Sequence, residues 1–135
     1  MTDMKKTLIS ILILLMIAVM TGCINTEQIT YKQISQEEAA EMMAKDDGHV
    51  IVDVRRMDEY IEGHIPGAIC IPNENIDQEK PEKLPDTDQI ILVYCRSGNR
   101  SKQAAEKLAA MGYRNVYEFG GIITWTGETV TGVTP

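Results

Sequence analysis

Apolar residues fall along the chain in two alternating patterns. Short β-branched or aliphatic runs occur at "HVIVDV" (49–54), "AICI" (68–71), "QIILVY" (89–94) and "NVYEF" (115–119). Runs of this length without strict alternation suit strands covered on both faces. Between them the spacing changes to that of helices. Ala104, Ala105, Leu108 and Met111 recur at intervals that predict a helix from about Arg100 to Met111, stopped by Gly112. "SQEEAAEMMAKDDG" opens with Ser35 and carries Glu38 three places on, a capping box. With Ala39, Met42 and Met43 as its stripe, this stretch predicts a helix from about 36 to 46. "RRMDEYIEG" (55–63) is expected to give one or two helical turns ended by Gly63, and Pro66 with Gly67 a turn. Residues 73–88 hold Pro81 and Pro85 and read as loop with one helical turn, and "GGIITWTG" (120–127) as a turn and a short helix carrying Trp125. Strands alternating with helices predict an α/β fold, a central parallel sheet flanked by helices on both faces.

The first residues follow a different pattern. Lys5 and Lys6 precede the apolar run "LISILILLMIAVM" (8–20) and then "TGC" (21–23), the layout of a secretory signal. The run is shorter than the roughly 20 residues that span a bilayer, although counting from Thr7 to Ile24 would allow a retained anchor. Cleavage is the expectation. "MTGC" (20–23) resembles the lipobox of bacterial lipoproteins, in which the cysteine becomes the lipid-modified first residue; Met20 departs from the aliphatic residue usual there. The expected organisation is a signal peptide over 1–22, a lipid-anchored polar tether over 23–33 attached through Cys23, and one domain over 34–135. The domain would then sit outside the cytoplasmic membrane of a bacterium, on its outer face or in a periplasm.

Composition is that of a globular protein, 44% hydrophobic and 24% charged. Loss of residues 1–22 removes Lys5, Lys6 and Asp3 and leaves 11 basic and 19 acidic residues, a net charge of −8 against −7 for the whole chain. Such a body argues against nucleic acid or an anionic surface as its main partner, so any anion site must be a local basic feature. If Cys23 carries lipid, only Cys70 and Cys95 remain, too few for a disulfide-stapled scaffold. A Cys70–Cys95 bridge stays open at this point, and a monomer is the default.

The chemistry concentrates at "VYCRSGNRS" (93–101), where a strand runs into a helix. Ligands of parallel α/β sheets bind at the carboxyl ends of strands, and a helix N-terminus there presents free N–H groups that favour an anion. Gly98, and Asn99 more readily than most residues, can adopt left-handed conformations that turn successive N–H groups inward. Arg96 and Arg100 are expected to add positive charge and lower the pKa of Cys95. Cys70, within "AICIP", reads instead as a small apolar residue of a strand.

"VDVRRMDEYIEGHIPGAICIP" (52–72), "VYCRSGNRS" (93–101) and "GGIITW" (120–125), in this order, resemble a single-domain rhodanese, a sulfurtransferase. The likeness covers about residues 34–127. It implies a parallel sheet of about five short strands and a loop wrapping Cys95, which would take up sulfane sulfur as a persulfide. Arg96, Ser97, Gly98, Asn99, Arg100 and Ser101 would bind the donor. Asp53, Arg55, Glu59, His64 and Gly67 match the family's "DVR…E…GHIPGA" signature, chiefly scaffold; His64 reads as a structural histidine rather than a base for Cys95. A donor such as thiosulfate and a thiol or cyanide acceptor are implied, with no cofactor and no metal. Two alternatives are weighed. A surface module could carry sulfur or bind a partner without turnover. A phosphatase or arsenate reductase would use a similar loop, but those enzymes place five residues between cysteine and arginine, and here there are four.

Overall fold

The computed structural model of the protein describes residues 3–10 and 27–135. Cys23 and most of the predicted signal lie outside them. Among the described residues no helix is long and apolar enough to cross a membrane.

Five strands form one parallel sheet: β1 (Lys32–Gln33), β2 (Val50–Asp53), β3 (Ile69–Cys70), β4 (Ile90–Cys95) and β5 (Asn115–Gly121), in the order β1-β5-β4-β2-β3. Residues 3–10 are helical; after them come α1 (Gln36–Met43), α2 (Met57–Glu62) and α3 (Asn99–Ala110), with 3-10 turns at Asn73–Asn75 and Ile122–Thr124. β4 lies in the middle, and its side chains explain why both faces of the sheet are covered. Ile91, Val93 and Cys95 point into a core closed by Ala104, Ala105 and Leu108 of α3, whereas Leu92 and Tyr94 join Ala39 of α1 and Tyr60 of α2 on the other side. The predicted α/β architecture is therefore present.

The capping box opens α1 as read from sequence: Ser35 Oγ accepts from Glu38 N–H at 3.1 Å, and Ser35 N–H donates to the Glu38 carboxylate at 2.9 Å. Three local differences have physical reasons. Lys32 and Gln33, placed in a polar tether, form the edge strand β1 against Tyr117 and Glu118. Both side chains are exposed, so backbone pairing rather than burial makes this strand. β5 continues through Gly120 and Gly121 because Gly121 pairs with Cys95 across a β-bulge. Trp125 lies outside the last helical turn; its backbone is extended and caps the 3-10 turn, with its N–H on the Ile122 carbonyl at 3.1 Å.

Cys70 and Cys95 are both free and lie on opposite faces of the sheet, two strands apart. Two strand spacings come to about 9.5 Å, beyond the Cα separation of roughly 7 Å that a disulfide spans, so these cysteines cannot pair.

Candidate active site

β4 delivers Cys95 to the carboxyl edge of the sheet, and four residues later, at Asn99, α3 begins. Gly98 makes the turn. Its φ of 105° is left-handed, and it serves as the N-cap of α3, with Lys102 N–H donating to its carbonyl at 3.2 Å. Asn99 does not share that conformation: it is the first helical residue, and no described non-glycine residue has a positive φ. The loop is backed closely by β5. A Cβ on Gly121 would overlap the Arg96 carbonyl and the Ser97 Cα, so only glycine lets the two backbones pass.

This turn brings backbone donors to sulfur. Gly98 N–H donates to Cys95 Sγ at 3.0 Å, and Ser101 Oγ lies 3.4 Å from it. Burial is the largest single influence on the thiol and opposes the anion, since Cys95 is 1% exposed. It is outweighed by the Ser101 hydroxyl and by the N–H groups of Ser101, Gly98 and Ser97, which together hold the Cys95 pKa below that of an ordinary thiol. Cys70 shows the contrast. Burial, then the neighbouring Asp53 carboxylate, pushes its pKa up to about 11, and its Sγ contacts only a carbonyl, that of Arg55, at 3.5 Å.

The arginines differ from the expectation that they act on the sulfur. No arginine is among the main influences on the Cys95 thiol. Arg100 is held across 41 residues of sequence by Glu59, with Nη1 and Nη2 donating to its two carboxylate oxygens at 2.7 and 3.0 Å. The same Glu59 accepts the Arg56 N–H at the start of α2, at 3.0 Å. Arg100 first, with these helix contacts, holds the Glu59 carboxyl down to about 2. Arg96, Ser97 and Asn99 are exposed at the rim of the loop. Ser101, assigned to donor binding from sequence, is fully buried on the inner side, where its hydroxyl donates to Glu118 at 2.6 Å; it cannot meet a donor arriving from solvent.

The signature residues form a frame around the site. Arg55 and Asp53 make a buried ion pair at 2.7 Å, and Arg55 also donates to the Gly63 carbonyl at 2.6 Å, fixing the end of α2. His64 is fully buried, stacked on Tyr60 with ring centroids 3.7 Å apart. Both its ring nitrogens are engaged by carbonyl oxygens, of Tyr60 at 2.8 Å and Thr134 at 2.9 Å, which leaves neither for Cys95. Two features escaped sequence reasoning: the Glu59–Arg100 pair and the buried Glu118. For Glu118 the one available signal was an acid inside an otherwise apolar strand. Among the described residues no group of three or more His, Cys, Asp or Glu side chains could hold a metal ion.

Comparison with known proteins agrees with this geometry. The family model described as "Rhodanese-like domain" matches residues 35–128. A thiosulfate sulfurtransferase, GlpE of Coxiella burnetii, is 43% identical over 102 residues, covering 75% of this chain and 92% of the relative. The putative sulfur carrier protein YrkF of Bacillus subtilis is 35% identical over 98 residues, 72% of this chain and 52% of the relative. A solved structure described as rhodanese with anions from E. coli superposes with a TM-score of 0.57 at 34% identity, covering 62% of this chain and 99% of that one. With a family model spanning most of its length, and a sheet order, loop and cysteine arranged as described, the chain belongs to the rhodanese-like domain family.

Proposed function

We propose that the protein is a sulfurtransferase that moves sulfane sulfur from a donor such as thiosulfate to a thiophilic acceptor through a persulfide on Cys95. One observation carries the reading: the Gly98 N–H aimed at Cys95 Sγ at 3.0 Å, at a strand end where burial alone would favour the neutral thiol. In the first half-reaction the Cys95 thiolate attacks the outer sulfur of thiosulfate, a new S–S bond forms, and sulfite leaves with the electron pair of the old one. In the second, cyanide or a thiolate attacks the outer sulfur and Cys95 departs as thiolate. The amides that hold the thiolate also suit the persulfide anion, so no base is needed at the sulfur once it is ionised. Arg96 is exposed at the rim and meets the donor's negative charge; Arg100, bound to Glu59, adds field rather than a free contact. Steady-state rates with thiosulfate and cyanide both varied should give parallel double-reciprocal lines; converging lines would mean a ternary complex and contradict the scheme.

The relative described as a putative sulfur carrier supports a second reading, in which Cys95 is loaded once and discharged only to a partner protein. A persulfide that forms with thiosulfate but resists cyanide would favour it. Phosphate or arsenate chemistry is disfavoured by the short loop, since four residues between Cys95 and Arg100 make a cradle for one sulfur atom rather than for a tetrahedral oxyanion. We further propose that Cys23 is lipidated after removal of residues 1–22 and tethers the domain outside the cytoplasmic membrane. The basic head, apolar run and "TGC" support this.

A further inference from the structure

Glu118 is 2% exposed and lies on β5 behind the catalytic loop, where the scheme above gives it no task. Its Oε1 accepts from Gly120 N–H at 2.8 Å and from Ser101 Oγ at 2.6 Å. Ser101 is in turn 3.4 Å from Cys95 Sγ, so an unbroken chain of polar contacts joins a buried carboxyl to the reacting sulfur. Ser101 has one proton and several acceptors around it: Glu118 Oε1, the Gly98 carbonyl at 3.0 Å, the Gly120 carbonyl at 3.4 Å and Cys95 Sγ. Glu118 is the nearest. While that proton points at Glu118, the hydroxyl can only accept from Cys95 and so favours the thiol; it can stabilise the thiolate only after turning toward sulfur.

We propose that Glu118 is the proton acceptor for Cys95, acting through Ser101. The S–H bond of Cys95 breaks as its proton passes to Ser101 Oγ, and the original Ser101 O–H breaks as its proton passes to Glu118 Oε1. The products are a thiolate facing the Ser101 hydroxyl and the Gly98 N–H, and a neutral Glu118 carboxyl that donates back to Ser101. Atoms and charge balance, and no proton needs to reach solvent from a sulfur that is 1% exposed. The physical motive is the cost of two neighbouring buried anions, which a single shared negative charge avoids. Among the described residues, other charged or titratable groups face the unit: Lys102 of α3 lines the same recess as Glu118, the Tyr31 phenol feels its charge from the N-terminal side, and Arg100, paired with Glu59, lies within electrostatic reach of Cys95. Glu118 is therefore a positioning residue for the sulfur chemistry proposed above, and the inference rests on that reading.

A shared charge has a signature that a structural role lacks, because coupled groups titrate in two steps that belong to the pair. The rate of Cys95 alkylation by iodoacetamide, followed by mass on the peptide carrying Cys95, should rise with pH in two steps separated by a plateau in the unmodified protein. In Glu118→Gln, nearly isosteric and still able to accept from Gly120, the plateau should vanish and the rate should rise in a single step, about tenfold per pH unit below its midpoint. Ser101→Ala should lose the plateau as well, and Ser101→Thr, which restores a hydroxyl, should regain it. A single-step profile in the unmodified protein, or an unchanged plateau in folded Glu118→Gln or Ser101→Ala, would overturn the proposal. Sulfur uptake from thiosulfate is measured on the same samples. Uptake with a single-step profile defeats only the relay, whereas a two-step profile without uptake from any donor defeats only the sulfurtransferase reading.

Discussion

Two buried cysteines in one small domain are driven in opposite directions by their hydrogen bonds. Cys95 meets backbone N–H donors and the Ser101 hydroxyl, Cys70 a carbonyl, and so burial prevails only at Cys70. With the Cys70 thiol near 11 and Cys95 below the usual 9.0, the thiolate fraction at neutral pH differs by more than about a hundredfold. Iodoacetamide at pH 7 should accordingly modify Cys95 and spare Cys70; equal modification of both would contradict this assignment. The two loop arginines also part company. Arg96→Ala should raise the Michaelis constant for thiosulfate more than Arg100→Ala, and steady-state rates on both variants measure it; no change with either removes their role at the donor. Glu59, lowered from 4.5 to about 2 chiefly by Arg100, stabilises the fold above pH 4.5, and this contribution is lost as pH falls toward about 2. After allowance for partial exposure, Glu59→Gln should cost about 1–2 kcal/mol at pH 7 in urea unfolding, with the gap to the unmodified protein closing in acid.

At the level of elements, the strand, loop and helix around Cys95 behave as one unit, and its tolerance to change should be uneven. Gly121→Ala pushes a methyl into the Arg96 carbonyl and must displace the loop, so kcat should fall by more than the accompanying loss of melting temperature would explain. Ser35→Ala removes the cap of a helix on the other face and should lower stability by about 1 kcal/mol with kcat unchanged. Calorimetry and initial rates on the pair separate the two effects. What sequence could reveal follows the same division. β4, α3 and the capped α1 were legible because each is encoded by its own run, spacing or cap. β1 was not, since Lys32 and Gln33 join the sheet through main-chain bonds to β5 and bury nothing. Cys95 and its loop were legible as a thiol between an apolar run and a helix start. The Glu59–Arg100 pair joins segments 41 residues apart and has no local signal. Ser101 and Glu118 were not legible because side-chain direction is decided by the fold, which turns Ser101 inward to the sulfur and Glu118 onto the Ser101 hydroxyl.

The molecule as a whole carries a net charge of −7, so the anion-holding role proposed for the loop would work against the long-range field and depend on short-range amides. Activity with an anionic donor should for that reason improve modestly as ionic strength rises from low values, a trend that initial rates across a salt series can check. Anchoring is tested separately: labelled palmitate should be incorporated in cells and lost in Cys23→Ala, and retention of label in that variant would contradict the proposed lipid site. The central claim, that the turn after β4 holds a sulfur anion ready to accept another sulfur, is tested most directly by intact mass after incubation with thiosulfate. The protein should gain the mass of one sulfur atom, discharged by cyanide, and Cys95→Ser should gain none. An unmodified protein that stays unchanged with thiosulfate, polysulfide and persulfidated thiols alike, or a Cys95→Ser variant that gains sulfur equally, would contradict it.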